Sequence, residues 1–205
     1  MALTAKDKGG GDYEPIPEDL HMAICYGIWD LGTQYNEVWH QESHKVAVVW
    51  ELPEIRGEFE RNGVKVNLPR AISKQYRLSL HKKAGLRKDL ESWRGKKFTE
   101  EELSKGFDIK KLLGVPCQIQ VLHNRVEDKT YANISAIIKA PTGTKLTPEN
   151  PITFFSFEEN MDIPPSTPEW IEKLIKGAKE YGRGNAQIPE NYESGEQGFP
   201  DDPPF

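Results

Sequence analysis

The stretch that decides the fold is ISKQYRLSLH, residues 72–81. Apolar and polar residues alternate along it, and helical sequence follows at once. Ile72, Tyr76, Leu78 and Leu80 lie on one face of a strand with a period of two. The pattern predicts a half-buried strand with one polar, hydrogen-bonding face. That polar face carries Ser73, Gln75, Arg77, Ser79 and His81.

Two further strands are predicted before this one. Residues 21–31 (HMAICYGIWDL) and residues 45–56 (KVAVVWELPEIR) are rich in apolar and aromatic side chains. The second strand is predicted to be weakened or bent at Pro53, because proline cannot donate to a strand ladder. Residues 32–44 are polar and predict a loop between the two strands. Asn62-Gly63 predicts a hairpin turn after them.

Helical sequence follows the third strand. Residues 82–93 predict a helix. Thr99 with Glu102 forms a capping box that opens a second helix, and residues 107–113 add a short turn or helix.

The remaining elements are two strands, a short third one and a helix. Residues 115–124 (VPCQIQVLHN) and 129–139 (KTYANISAIIK) predict strands joined by a short hairpin. Residues 153–157 (TFFSF) predict a short extra strand. Pro168 stands in the first turn of a C-terminal helix that ends at Gly182.

The order of these elements predicts a fold class. Five strands with a helical insert between the third and the fourth is the order of the OB-fold, a small Greek-key barrel. We therefore predict a mainly β fold with helical insertions. The usual ligand face of such a barrel is strands two and three, bounded by the loops that here are residues 32–44 and 123–129. The predicted organisation is a flexible leader at 1–14, an OB-fold nucleic-acid-binding domain at 15–157, a C-terminal helical extension at 158–183, and a disordered acidic tail at 184–205.

Charge is unevenly distributed along the chain. The formal net charge is -5, yet residues 70–97 carry ten Lys and Arg against two acids, a local net of +8. Residues 158–205 carry eleven acids against four bases, a local net of -7. A basic patch can bind a polyanion even in an acidic protein. The alternative is a pair of solvated faces that happen to differ.

The basic stretch suits a single strand of nucleic acid, because cations follow phosphates and aromatic rings stack on bases. The predicted DNA-binding residues are Tyr35, Trp39, Lys74, Gln75, Arg77, Lys82, Lys83, Arg87, Lys88, Trp93, Arg94, Lys96, Lys97 and Arg125.

Several of these side chains have a structural interpretation as well. Tyr76 shares the apolar face of its strand and is expected in the core. Trp93 can simply anchor the helical insert. Tyr35 and Trp39 lie in the polar loop and are the better candidates for stacking. For the lysines and arginines of the first helix, a solvated helix face is the alternative.

The C-terminal segment, residues 184–205, holds five carboxylate side chains and no Lys or Arg. Such a composition predicts disorder. It ends in Asp201-Asp202-Pro203-Pro204-Phe205, an aromatic side chain behind acidic ones. We expect Asp201, Asp202, Pro204 and Phe205 to dock into a basic-rimmed apolar pocket of a partner protein. An ordinary solubilising tail is the alternative.

The sequence offers no enzymatic motif and no metal-ligand set. Phosphate-binding loops, nucleophile elbows and paired-histidine metal motifs are absent, so we expect no catalysis, no metal and no cofactor. Cys25 and Cys117 lie in apolar stretches and are expected to be buried free thiols. No apolar run is long enough to span a membrane and the N-terminus lacks the apolar stretch of a signal peptide, which predicts a cytoplasmic protein without a membrane partner.

Two stretches carry a family resemblance. LSLHKKAGLRKDLESWRGKKFTEEELSKGF (78–107) and GVPCQIQVLHNRVEDKTYANISAI (114–137) resemble phage and prophage proteins of OB-fold type, thought to act as single-stranded DNA-binding proteins in replication or recombination. The resemblance covers roughly residues 15–140. The last five residues resemble the acidic tip of bacterial single-stranded DNA-binding proteins, Asp-Asp-Asp-Ile-Pro-Phe, with one Asp fewer and Pro203 in place of Ile.

These resemblances imply a function. The chain is expected to coat single-stranded DNA without sequence preference, in a bacterial or phage-infected cell, and to recruit replication, recombination and repair proteins through its tip. Three alternatives stay open: a recombination protein that anneals strands, an OB-fold adaptor that binds protein, and an RNA binder. Self-association into a homo-oligomer is also open.

Overall fold

A computed structural model describes residues 14–181, apart from 38–39, 62 and 128. Within these residues the fold is mainly β. The strands are β1 (Asp19–Asn36), β2 (Gln41–Arg61), β3 (Val64–Arg77), β4 (Pro116–Val126), β5 (Lys129–Lys139) and β6 (Thr153–Phe155). The helices are α1 (Gly85–Arg94), α2 (Glu100–Lys105) and α3 (Glu169–Lys176), with a 3₁₀ turn at Ile109–Leu112.

The strands form one open sheet in the order β3-β2-β1-β4-β5. All neighbours on this path run antiparallel. The central strand β1 pairs with β2 along one edge. On its other edge it pairs first with β4 and then, in parallel, with the short strand β6. The sheet therefore has β3 and β5 as its outer strands.

The strands differ in length from the prediction. Residues 32–44 were predicted as a loop, and this is wrong, because β1 continues to Asn36 and β2 begins at Gln41. The two strands run on as a polar hairpin in which Tyr35 pairs with Glu42. Few apolar side chains mark this hairpin, so backbone pairing rather than side-chain periodicity defines it.

Local signals in the sequence were mostly accurate. The register of β2 against β3 shifts between Leu52 and Arg56, so the predicted bend at Pro53 is confirmed. The capping box of Thr99 and Glu102 is present at the start of α2. The third strand, however, starts at Val64 and ends at Arg77, where the sequence indicated 72–81.

The main hydrophobic core lies between the inner face of the curved sheet and α1. Trp50 of β2 packs on Trp93 of α1 with ring centroids 5.7 Å apart. Side chains from β3 and β5 enter the same core, among them Ile72 and Ile137. The helix contacts both outer strands. It thereby covers the end of the core where the sheet does not close.

A second core lies on the opposite face of β1 and β2, beneath α3. Ile171 and Ile175 of the helix pack with Trp29 and Val49 of the sheet. Trp29 also donates a hydrogen bond from Nε1 to Thr167 Oγ1 at 2.9 Å. The C-terminal helical extension is therefore an integral part of the fold, and the central strands are buried on both faces.

None of the helices in the described part of the chain is both long and apolar enough to cross a membrane.

Candidate nucleic-acid interface

The outer face of β2 and β3 is only partly available to a ligand. On β2, Ala47 and Val49 point outward but are buried under α3. The next outward residue, Glu51, is also buried and accepts hydrogen bonds from the backbone of Glu149 and Asn150 at 3.0 and 2.9 Å. The part of the predicted ligand face that lies on β2 is thus covered by residues that follow β5. The accessible part of this face lies on β3.

The outward residues of β3 remain exposed. Ile72 and Tyr76 point inward and are buried. Ser73, Gln75 and Arg77 alternate with them and are exposed, as the periodicity predicts. Gln75 and Arg77 therefore lie where the sequence analysis placed them, on the polar face of the third strand.

Arg77 lies directly opposite Lys45 of β2 in the strand register. Neither cation forms an ion pair with a described residue. Like charges placed opposite each other across two strands destabilise a sheet. Lys45 was missed by the sequence analysis, although it is the first residue of the predicted second strand. Its relation to Arg77 emerges only from the register of the two strands.

A group of exposed cations continues from Arg77 along the chain into α1. Lys82 and Lys83 lie in the turn before the helix, and Lys88 lies on its exposed side. None of the three forms an ion pair within the described part of the chain. Together with Lys45 and Arg77 these residues form what we call the basic cluster. Five cations without carboxylate partners are suited to bind an extended polyanion.

Lys74 does not belong to this cluster. It lies on the inner face of β3, where its Nζ is 2.9 Å from Asp89 Oδ2 of α1. Tyr76 donates from its hydroxyl to the same carboxylate oxygen at 2.8 Å. Asp89 is buried and Lys74 is largely covered. Lys74 therefore belongs to an ion pair that attaches α1 to β3, and a contact with DNA would require it to leave Asp89.

Arg87 is also engaged within the fold. It donates to Glu91 Oε1 at 3.0 Å and to the carbonyl oxygen of Leu80 at 3.3 Å. The hydrogen bond from Arg87 is the main reason that the pKa of Glu91 lies below its usual value, with a further contribution from the backbone of Phe98. Arg87 lies beside the basic cluster, but its charge is already paired.

Arg94, Lys96 and Lys97 lie at the other end of α1. Arg94 lies six residues beyond Lys88, about 9 Å along the helix axis. Arg94 is stacked on the ring of Phe98 at 4.2 Å and is paired with Glu102. Lys96 lies 3.9 Å from the same Glu102, while Lys97 is exposed. The predicted continuous patch is therefore divided into two groups.

The predicted aromatic DNA contacts differ in their exposure to solvent. Trp93 is buried and donates from Nε1 to the carbonyl oxygen of Pro116 at 3.1 Å, so it does not offer a stacking surface; this prediction is corrected to a core role. Tyr35 is 56% exposed, with its hydroxyl 3.0 Å from His40 Nδ1. Trp39 lies outside the described residues. Arg125 is exposed on the hairpin of β4 and β5.

A histidine and two carboxylates fix the last described residues, around Glu180, to the hairpin of β1 and β2. His44 Nε2 lies 2.6 Å from Asp30 Oδ1, and this hydrogen bond raises the pKa of His44 against the opposing effect of burial. Thr33 donates from its backbone and its hydroxyl to Glu180 at 2.7 and 2.6 Å. Burial acts to raise the pKa of Glu180, but the hydrogen bonds from Thr33 outweigh it, so the pKa is lowered.

Gly32 permits this close approach. Its φ of +63° is in the left-handed region, and a Cβ at this position would lie 2.5 Å from Glu180 Oε2 and 2.7 Å from the Cβ of Ala178. Ala178 and Glu180, close to the end of the described residues, therefore lie against Gly32, which pairs with Lys45 in the strand register. The predicted partner-binding residues Asp201, Asp202, Pro204 and Phe205 lie outside the described residues.

The described residues contain no group of three or more potential metal ligands. Cys25 and Cys117 are buried free thiols, which confirms that expectation. Burial raises the pKa of Cys25 to about 12 despite a hydrogen bond to the carbonyl of Gly27, so this thiol is not a nucleophile near neutral pH.

Comparison of the chain with models of known protein families, with curated proteins and with solved structures gave no match.

Proposed function

We propose that this protein binds single-stranded DNA without sequence preference and protects it during replication or recombination. The observation that carries this proposal is the basic cluster. Lys45 and Arg77 are directly opposed across two strands, Lys82, Lys83 and Lys88 follow in the turn after β3 and in α1, and none of the five has an ion-pair partner among the described residues. Repulsion of this kind is relieved when a phosphate backbone lies along the cations, because each phosphate neutralises a charge.

The arrangement of strands supports an OB-fold interpretation. The path β3-β2-β1-β4-β5, with helices between β3 and β4, agrees with the order expected of a partly open five-stranded Greek-key barrel. In such barrels the outer surface of strands two and three is a common oligonucleotide site. Here the exposed strip of β3, with Gln75 and Arg77, is the accessible remainder of that surface.

The single strand is favoured over the duplex by the form of the site. Arg77, Lys82 and Lys83 follow the end of β3 and the turn after it, a path that suits an extended single strand. Exposed Tyr35, on the neighbouring hairpin of β1 and β2, is available for stacking. Base stacking on an aromatic side chain contributes about 1–3 kcal/mol per base, and only unpaired bases offer that face.

The acidic C-terminal segment is proposed to recruit partner proteins. Its five carboxylates and terminal Phe205 suit a basic-rimmed apolar pocket on a replication or recombination protein. The segment follows Tyr181, so a partner bound to it would be tethered beside the DNA-binding surface.

Binding of labelled oligo-dT across a salt series tests the proposal. Each phosphate contact in a single strand contributes about 0.7 to the slope of log affinity against log salt. We expect a steep slope for the native chain and clear preference over duplex DNA. Substituting Arg77, Lys82, Lys83 and Lys88 together by glutamine should reduce the slope by about 3.

Lys173→Gln is the matched control. Lys173 is also exposed but is paired with Glu169 on α3, so its loss should leave the slope unchanged. Equal affinity for single strand and duplex, or an equal effect of the control and the fourfold variant, would contradict the proposed function.

A further inference from the structure

The last residue of β5 is a lysine that reaches the end of α1. Lys139 is exposed, and it forms no ion pair with a described residue. Its side chain lies over Gly95, the residue that caps α1, because a Cβ built at Gly95 would be 2.9 Å from the Cδ of Lys139. The lysine therefore lies against the C-terminal end of the helix, a position that the helix dipole favours for a cation.

This contact brings Lys139 to the second group of cations. Lys96 and Lys97 directly follow the capping glycine, and both are exposed. Lys97 has no ion-pair partner among the described residues. Lys96 lies 3.9 Å from Glu102 Oε1, the oxygen that Arg94 also binds. Lysines from two elements that are far apart in the sequence therefore come together at one end of α1.

The outer side of α1 leads from this group back to the basic cluster. Lys88 belongs to the basic cluster and lies seven residues before Gly95, so the two share one side of the helix and are about 10 Å apart along its axis. Ser92 lies between them and is also exposed. Neither Ser92 nor Gly95 carries a charge, so nothing on this path repels an anion.

The two acids of α1 do not oppose an anion on this side. Asp89 faces the core and is buried. Glu91 accepts hydrogen bonds from the side chain of Arg87 at 3.0 Å and from the backbone of Phe98 at 3.2 Å, so its charge is already compensated. Residues 82–97 carry seven Lys and Arg against these two acids.

We propose that a bound single strand of DNA leaves the sheet at the end of β3 and crosses the outer side of α1 to reach Lys139. The inference rests on the proposed function and extends it, because it assigns the far half of the site to the helical insert and not to the sheet. Three glutamates open α2 at residues 100–102, so the path ends at the second group of cations. We call this path the α1 track; it comprises Lys88, Ser92, Lys96, Lys97 and Lys139.

Length and charge favour a nucleic-acid strand as the occupant of the α1 track. Successive phosphates of a stacked strand advance about 3.4 Å, so about 10 Å of helix corresponds to about three phosphates. Lys96, Lys97 and Lys139 lie at the far end to neutralise them. One strand that contacts both the basic cluster and these lysines makes the second contact intramolecular, which raises its affinity.

The salt dependence of oligo-dT binding by the full chain tests the α1 track. Lys97→Gln and Lys139→Gln together should reduce the slope of log affinity against log salt by about 1.4, because each phosphate contact contributes about 0.7. A strand of about 20 nucleotides is used, since it exceeds the site of one OB barrel. The matched control is Lys65→Gln with Lys173→Gln, which removes the same charge from exposed lysines on the hairpin of β2 and β3 and on α3. The control should leave the slope unchanged.

A cross-linking experiment leaves every cation of the track in place. Ser92, which is exposed and uncharged, is replaced by p-benzoylphenylalanine, and irradiation should cross-link this position to bound oligo-dT. The same replacement at Asn67, exposed on the hairpin of β2 and β3, should give no cross-link.

The results separate the α1 track from the proposed function. If the native chain binds oligo-dT but the Lys97 and Lys139 variant has the slope of its control, the track is wrong and the proposed function stands. A cross-link yield at position 92 no higher than at position 67 also overturns the track. A native chain that does not bind oligo-dT refutes the proposed function and the track together.

Discussion

Lys74 distinguishes a structural cation from a DNA-binding one, and Lys74→Met is the perturbation that tests the distinction. The substitution keeps most of the aliphatic stem and removes the charge that lies 2.9 Å from Asp89. Asp89 then remains buried with the hydroxyl of Tyr76 as its side-chain donor. The carboxylate loses a charge-assisted hydrogen bond but cannot reach water without moving α1.

The magnitude follows from the burial of the pair. Removing one partner of a fully buried ion pair costs about 3–5 kcal/mol. The Lys74 side chain retains 24% of its exposure and that of Asp89 11%, so a smaller cost applies. We expect the free energy of unfolding to fall by about 2–3 kcal/mol, well above the 0–1 kcal/mol of a surface pair. For a chain of this size that corresponds to a decrease in Tm of about 5–10 °C.

The assay is a double-mutant cycle read by urea unfolding. Lys74→Met and Asp89→Asn are measured singly and together, and the coupling energy should be about 1–2 kcal/mol, because the double variant has no unpaired charge. Oligo-dT affinity is measured for each variant at a temperature where all are folded. Lys74→Met should bind like the native chain.

The reasoning is refuted if Lys74→Met unfolds at the same urea concentration as the native chain but binds oligo-dT several-fold more weakly. That result would mean that Lys74 leaves Asp89 to contact phosphate, as the sequence alone predicted. Arg77→Gln is the matched comparison, since it should show the opposite behaviour: weaker binding and unchanged stability.

Three further predictions follow. Trp93→Phe should lower the free energy of unfolding by about 1–3 kcal/mol, because it removes the hydrogen bond to Pro116 and part of the core packing. Oligo-dT affinity should stay unchanged. A loss of affinity without a loss of stability would mean that Trp93 stacks on a base. The pKa of His44 is raised in the folded state, so the stability that it contributes with Asp30 is present below its ordinary pKa of 6.5 and is lost as pH rises through the folded value. The free energies of unfolding of the native chain and of His44→Gln, measured with urea, should therefore differ most at low pH. A difference that grows as the pH rises would contradict this reasoning. Deleting residues 184–205 should tighten oligo-dT binding at low salt, because the segment carries five carboxylates that compete for the basic cluster; unchanged affinity would refute the competition.

Much of the fold could be predicted because its signals are local. The alternation of β3, the capping box at Thr99 and the bend at Pro53 each depend on a few neighbouring residues, and each is present. The polar hairpin of β1 and β2 could not be recognised in the same way. Its strands are held by backbone hydrogen bonds between residues whose side chains show no apolar period.

The candidate site was predictable in composition but not in arrangement. The sequence concentrates Lys and Arg in residues 70–97, and most of the candidate DNA-binding residues come from that range. Whether each is available depends on what packs against it, and that is a property of distant residues. Lys74 meets Asp89 of a helix, Arg94 meets Glu102 of the next helix, and Lys45 meets Arg77 through the register of two strands.

The sequence by itself determined a mainly β chain with a helical insert, a basic stretch and an acidic end, because these depend on periodicity and charge along the chain. Only the tertiary structure decided which side chains face solvent. It buried Trp93 and placed α3 over the outer face of β2. Burial is set by contacts between segments far apart in sequence, and no local pattern contains them.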